Sequence, residues 1–246
     1  LREKLELLRQ CGVARAYVCR FDYAFAQVTA DDFVTRILRD GLAVKWLLVG
    51  DDFRFGARRA GDLSRLKSMA PQAGLEVEVM ASVVAAGQRV SSTAIRTCLE
   101  KGDLDGARRL LGRRYAICGK VVDGDKLGAK IGYPTANVQL KRLKAPLSGI
   151  FVVEVEGLGQ APLPGVASLG VRPTVKERGR PTLEVHLFDF DGRIYSRRIT
   201  VQFLEKLREE QKFSDLDSLV AQMRLDAAAA REYFVTAKTQ STQRSK

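Results

Sequence analysis

Histidine is almost missing from this sequence: His186 is the single one among 246 residues. A metal centre built on several imidazoles is therefore excluded. Cysteine is scarce as well. Cys11, Cys19, Cys98 and Cys118 lie far apart with no CxxC spacing, which argues against zinc ribbons and disulfide frameworks and predicts buried free thiols in a reducing compartment. No apolar run approaches the ~20 residues that a membrane-spanning helix requires. The opening segment LREKLELLRQ is charged and amphipathic and lacks the apolar centre of a signal peptide, so a cytoplasmic location is expected. Because the first residue is not methionine, the sequence is expected to begin inside a longer chain.

What is plentiful is apolar and basic. Hydrophobic residues make up 46% of the chain, ample for a buried core, and the length suits two ordinary domains. The net charge is +12, with eight of the twelve excess positive charges falling in residues 113–246. That balance suits anionic ligands, either nucleotide phosphates or nucleic acid.

The first half alternates helix and strand. Leu1, Leu5 and Leu8 are at helical spacing, and Gly12 follows as a stop. Ala14–Arg20 reads as a short strand. Thr29 opens a helix to about Arg39, with Asp32 completing a capping box. Leu42–Val49 is a nearly continuous apolar run, the pattern of a strand buried on both faces. A helix over Asp62–Met69 and a strand over Leu75–Ala81 repeat the theme, which is that of a doubly wound α/β sheet. Near residues 112–114 the texture changes. Short strands separated by glycine and proline turns run from Tyr115 to Phe203, as in an antiparallel barrel or sandwich. A last helix is predicted from Ser214, capped with Asp217, to about Phe234. The expected divisions are 1–112, 113–236 and a disordered tail over 237–246.

The segment GKVVDGDKLGAKIGYPTAN, residues 119–137, carries the sharpest signal. Gly124, Gly128 and Gly132 permit tight turns and close backbone approach, while Lys126 and Lys130 add positive charge. It is no Walker loop, since the GK[ST] ending is missing. Pro134 biases Tyr133 toward extended geometry. Thr135 and Asn137 then share one strand face and offer two hard oxygen ligands, suited to a Mg²⁺ held mostly by phosphates and water. By itself the segment is more simply a glycine-rich hairpin with polar turn residues. In TLEVHLFDFDGRIYSRR, residues 182–198, alternation sets Leu183, Val185 and Leu187 on one face and Glu184, His186 and Phe188 on the other. Glu184 is a candidate general base, although exposed surface glutamates are commoner. His186 has no recognisable partner and reads as structural.

Residues 115–236 resemble the riboflavin kinase domain of bacterial bifunctional FAD synthetases, which join riboflavin kinase to FMN adenylyltransferase. GYPTAN (132–137), GVASLGVRPTV (165–175), LEVHLFDFDGRIY (183–195) and LREEQKF (207–213) carry the resemblance in order and spacing. It implies a six-stranded Greek-key barrel with a flanking C-terminal helix, ATP-dependent phosphorylation of riboflavin to FMN, and Mg²⁺ with ATP phosphates on Thr135 and Asn137. Glu184 is implied to act as base for the riboflavin 5′-hydroxyl. The lysines at 126 and 130 are expected to cradle the triphosphate. Two departures stand out: Ala129 where relatives often carry a basic residue, and Ser196 where a glycine usually follows the tyrosine. Some members of the family self-associate.

The first half resembles the Rossmann-like adenylyltransferase part of the same family. VGDDFRFG (49–56) follows the apolar run, and ligands in α/β sheets bind at the carboxyl ends of strands. Asp52, Phe53 and Arg54 are candidates for flavin and nucleotide contact. VSSTAIR (90–96) sets Ser92 and Thr93 at a helix start with Arg96 one turn on, suited to ATP phosphates. No HxGH-type motif is present in these residues, so the domain is expected to be incomplete and adenylylation impaired. The competing expectation is a basic β-barrel that binds nucleic acid, although aromatics at 7% are few for a base-stacking platform.

Overall fold

A computed structural model describes residues 1–124, 128, 131–140, 144–171 and 181–244. The chain divides into two compact units, Leu1–Val84 and Ala85–Lys246.

In the first unit the helices are α1 (Arg2–Gln10), α2 (Tyr23–Ala26), α3 (Ala30–Asp32, continuing as a wider π-helical coil over Phe33–Gly41) and α4 (Leu63–Met69). Strands β1 (Trp46–Gly50) and β2 (Glu76–Met80) pair in parallel. The cap expected at Thr29 forms: its Oγ1 accepts from Asp32 N at 3.0 Å. Asp62 caps α4 in the same way, accepting from Arg65 N at 2.9 Å. Val34, Leu38, Val49, Leu66 and Ala70 build the core.

Two expectations fail here. The run Leu42–Val49 is not a strand buried on both faces, because β1 starts only at Trp46 and Trp46 (50%) and Leu48 (42%) stay exposed. Its sheet has two strands and one packed face, so apolar content overstated the burial. Ala14–Arg20 enters no sheet and is exposed throughout; β-branched and aromatic residues favour a strand only where a partner pairs with them.

The second unit holds a hairpin, β3 (Val84–Ala85, at the boundary) with β4 (Gln88–Arg89), then α5 (Ser92–Glu100) and α6 (Leu104–Leu111). Six strands follow: β5 (Ala116–Val122), β6 (Ala136–Gln139), β7 (Gly149–Glu156), β8 (Leu163–Val171), β9 (Pro181–Leu187) and β10 (Arg198–Arg208). They close an antiparallel barrel in the order β10-β5-β6-β9-β8-β7. Closure removes the edges that an open sheet would leave unpaired. Inward residues fill it: Ile117, Val153, Leu169, Leu183, Val185, Ile199 and Val201, with Phe151 and Phe203 edge to face at 5.2 Å. Leu99, Leu104 and Ala107 of α5 and α6 join the same cluster. Texture and packing therefore break at different places: the sequence changes character near 112–114, whereas the compact unit already starts at Ala85.

The final helix, α7 (Leu216–Arg244), lies on the barrel's outer wall, with Ala227 and Ala230 packed on Val152 and Phe188. Its first turn is capped by Asp215, whose Oδ1 accepts from Ser218 N at 2.8 Å. Ser214, the expected cap, instead donates to Asp215 Oδ2 at 2.7 Å. The helix runs to Arg244, so residues 237–244 are helical rather than disordered. All four cysteines are free, but Cys11 and Cys19 are exposed and Cys98 and Cys118 only half-buried.

Candidate functional site

The alternation of β9 decides what faces outward. Leu183, Val185 and Leu187 point into the barrel, which leaves Glu184 and His186 on the outer wall. Register then surrounds Glu184. Asn137 of β6 is its partner on one side and Ser168 of β8 on the other. Thr135, one residue before β6, donates from Oγ1 to Glu184 Oε2 at 3.5 Å. The glycines upstream are needed for space. A Cβ at Gly124 would collide with the side-chain amide of Asn137, and one at Gly128 with the carbonyl of Tyr133. The expected cluster of Glu184, Thr135, Asn137, Gly124 and Gly128 is thus brought together. Lys126, Lys130 and the departure Ala129 lie outside the described residues.

This group sits at the head of a cleft of about 270 Å³ between the barrel wall and α7. Its far side is apolar: Phe213 before α7, then Leu219 and Met223 one turn apart on it. Arg208, Glu210 and Asp226 supply charge. Two register shifts in β10 precede Arg208, the kind of bulge that re-aims a strand end. Arg208 then forks onto Asp226, Nε to Oδ1 at 2.8 Å and Nη2 to Oδ2 at 2.7 Å, and Gln222 Nε2 adds a bond to Oδ1 at 3.0 Å. Asp226, 7% exposed, is the one buried charged residue among those described. A second clamp joins Arg231 to Asp189 at 2.8 and 2.9 Å, with the guanidinium 4.4 Å over the Phe188 ring. The Arg231 hydrogen bonds hold the Asp189 carboxyl below the usual aspartate range, and Asp189 raises Arg231 in turn.

On the other side of Thr135 lies a smaller hollow of about 150 Å³, lined by Phe190, Ile194 and Tyr195 together with Val121 and Leu187. Ser196, the residue after that tyrosine, has φ of 67° and donates its N–H to Val121 O at 2.9 Å. That backbone region favours glycine, which gives the departure at 196 a physical meaning.

His186 was expected to lack a partner and has several. Its Nδ1 lies 2.9 Å from Pro134 O, and its ring meets Tyr133 edge to face at 5.2 Å and Phe188 at 5.8 Å. The acidic-basic pair Arg208–Asp226 gave no signal in the sequence either, since each residue alone resembles an ordinary surface charge.

The remaining candidates fall in different units. In the first, Asp52 is exposed, Phe53 stacks on Phe55 at 5.5 Å, and Arg54 pairs with Asp62 at 3.1 Å. Phe53 therefore packs against the core of its own unit. In the second, Ser91 caps α5 by accepting from Ala94 N at 3.1 Å, so Ser92 and Thr93 occupy the first turn with Arg96 exposed beyond them.

Comparison with known proteins bears on the same residues. The riboflavin kinase family matches residues 111–234 and the FAD synthetase family residues 1–94. The bifunctional riboflavin kinase/FMN adenylyltransferase of Escherichia coli K12 is 48% identical over 234 residues, which cover 95% of this chain and 74% of that protein. The chain belongs to the bifunctional riboflavin kinase/FMN adenylyltransferase family. Its counterpart from Pseudomonas fluorescens is also 48% identical, over 93% of this chain and 75% of that one. The Bacillus subtilis enzyme is 33% identical over 95% and 74%. A crystal structure described as a macrolide-efflux protein from Streptococcus pneumoniae has a TM-score of 0.76 at 33% identity, covering 94% of this chain and 74% of that one. No helix among the described residues here is long and apolar enough to cross a membrane. Membership makes this protein an enzyme of FMN and FAD biosynthesis with a riboflavin kinase domain, using ATP and flavin substrates. The nucleic-acid-binding reading is not favoured.

Proposed function

We propose that the cleft at Glu184 is where riboflavin is phosphorylated, with Glu184 as general base. The observation that carries the reading is the placement of one carboxylate beside Thr135 and Asn137, at the junction of two hollows of different character. The larger, with Phe213, Leu219 and Met223, suits a flat apolar ring system whose polyol chain reaches toward Glu184. The smaller, which sets Asp191 and Thr135 beside Phe190 and Tyr195, suits the base of ATP. Thr135 borders both, so the γ-phosphate would meet the hydroxyl there.

A primary alcohol is a weak nucleophile, and phosphoryl transfer depends mainly on alignment and charge neutralisation. Glu184 accepts the proton of the riboflavin 5′-hydroxyl as its oxygen bonds to the γ-phosphorus. The bond from that phosphorus to the bridging oxygen breaks and ADP leaves. Asn137 and Thr135 hold the phosphate side of the site. Their two neutral oxygens fit a divalent cation that phosphates and water otherwise surround, and the Thr135 hydroxyl keeps its lone pairs because it donates its proton toward Glu184. Mg²⁺ bound there supplies neutralisation of the charge that develops on the phosphates. Gly124 and Gly128 leave room for this arrangement.

Asp52, Phe53 and Arg54, with Ser92, Thr93 and Arg96, are assigned by the same reading to flavin and ATP contacts of the adenylyltransferase part. Four free cysteines suit a reducing compartment, and the reading sets the enzyme in the cytoplasm. The test is steady-state conversion of riboflavin to FMN by the purified chain with ATP and Mg²⁺, followed by chromatography. Wild-type protein should make FMN and the Glu184→Gln protein should make almost none. Equal turnover by both would overturn the assignment.

A further inference from the structure

Pro134 lies just past the point where the pairing of β6 with β9 stops, next to the residue that bears the hydroxyl at Glu184. Strand β6 pairs with β9 from Ala136↔Val185 through Val138↔Leu183, and the register goes no further toward Thr135. Proline has no N–H to give a ladder. The segment Tyr133-Pro134-Thr135, which bears the hydroxyl at Glu184, is thus outside the regular strand pairing.

A side chain stands where the ladder stops. His186, two residues beyond Glu184 on β9, reaches Pro134 O with Nδ1 at 2.9 Å. A carbonyl oxygen only accepts, so Nδ1 carries the proton and donates. The same ring packs edge to face on Tyr133 at 5.2 Å, and Phe188 supports it at 5.8 Å. On the far side, Tyr133 N donates to Gly128 O at 2.8 Å. Thr135 is consequently preceded by a segment fastened at both residues, with the bond on the β9 side coming from His186. Glu184 and His186 project from the same face of one strand, so the group that accepts the substrate proton and the group that anchors Thr135 share a single rigid element.

We propose that His186 is a positioning residue that gives the Pro134 carbonyl a hydrogen-bond donor where the strand pairing has stopped, and so fixes the Thr135 hydroxyl beside Glu184. This inference rests on the assignment of riboflavin phosphorylation to the Glu184 cleft. His186 performs no proton transfer in it; the imidazole acts through the Pro134 carbonyl. The cost of losing such an outer support is about 10–100-fold in ligand affinity or activity.

Two variants separate the donor from the ring. In His186→Phe the aromatic contacts with Tyr133 and Phe188 survive and the N–H is gone. In His186→Asn the side-chain amide sets an N–H near the position of Nδ1 and the ring is gone. The experiment measures kcat and KM for ATP and riboflavin, with Tm, on both variants and on Glu184→Gln. The expected result is a loss of about tenfold or more in kcat/KM for ATP with His186→Phe and recovery by His186→Asn to within about threefold of wild type. Should both variants lose only Tm and keep wild-type kcat and KM where folded, His186 is a packing residue and the proposal falls. It falls equally if His186→Asn is no better than His186→Phe. Retention of turnover by Glu184→Gln is a different outcome, since it overturns the site assignment itself.

Discussion

Asn137 and Glu184 face each other across two adjacent antiparallel strands of the barrel wall, β6 and β9, both projecting away from its core. Their proximity is set by register, so it does not depend on a loop conformation. Directly opposed residues in such a pair have Cβ atoms about 4.5–5.5 Å apart. A carboxylate and an amide at that spacing can contact the nucleophile and the phosphate of one reaction at once.

Removing the oxygens of the proposed cation site should act on the nucleotide side of the reaction. Thr135→Val and Asn137→Leu keep the approximate volume and lose the oxygen donors. Each is expected to raise the Mg²⁺ concentration needed for half-maximal FMN formation by about 10–100-fold, with riboflavin binding, followed by fluorescence quenching, nearly unchanged. A variant with wild-type Mg²⁺ dependence would remove that residue from the cation site.

Gly124→Ala places a methyl group against the Asn137 amide. The barrel core does not involve this position, so Tm should fall only slightly. Turnover should fall at least tenfold, because displacing a residue that positions the reacting groups by about 1 Å is costly. Near-normal kcat/KM in this variant would mean that Asn137 can move without consequence.

The pair Arg208–Asp226 joins the end of β10 to the cleft-facing side of α7, where Leu219, Met223 and Asp226 follow at helical spacing. Breaking a buried pair leaves an uncompensated charge, worth about 3–5 kcal/mol. Asp226→Asn or Arg208→Met should therefore lower Tm by roughly 10 °C. In protein that remains folded at low temperature, KM for riboflavin should rise while KM for ATP stays close to normal. An equal rise in both would place the pair's effect on the barrel as a whole.

Acid should loosen the other clamp. Arg231 holds the Asp189 carboxyl below its ordinary value. A depressed aspartate contributes stability that is fully present above the unfolded value, about 3.9, and lost as pH falls through the lower folded value. Asp189→Asn should flatten the pH dependence of stability below about pH 4 and leave neutral pH little affected. Urea titrations of both proteins across that range measure it, and identical slopes would contradict the clamp.

Local pattern made much of this legible from the residues. The strict alternation of Leu183, Val185 and Leu187 against Glu184 and His186 identified both the strand and its outward face. The pairing of Thr135 with Asn137 followed from a spacing of two. The cap at Thr29 was visible because the interacting residues are three apart. What stayed hidden depends on partners distant in sequence. His186 meets Pro134, 52 residues earlier, and Arg208 meets Asp226 across the barrel-helix junction. Neither contact leaves a period or a motif. The run at Leu42–Val49 misled for the opposite reason: apolar content predicted two covered faces, and the two-stranded sheet of its unit covers one. At the start of the last helix, Ser214 and Asp215 are both good caps, and the choice of Asp215 rests on one residue of phase.

The most direct test is a single-turnover experiment on Glu184→Gln with radiolabelled γ-phosphate on ATP, excess Mg²⁺ and saturating riboflavin, alongside binding of riboflavin and ADP. General-base catalysis contributes about 10²–10⁴-fold. The account predicts that label transfer to riboflavin slows by that factor while both ligands bind with near wild-type affinity. Transfer at the wild-type rate would contradict it, and the proton acceptor would then have to be sought elsewhere in the cleft.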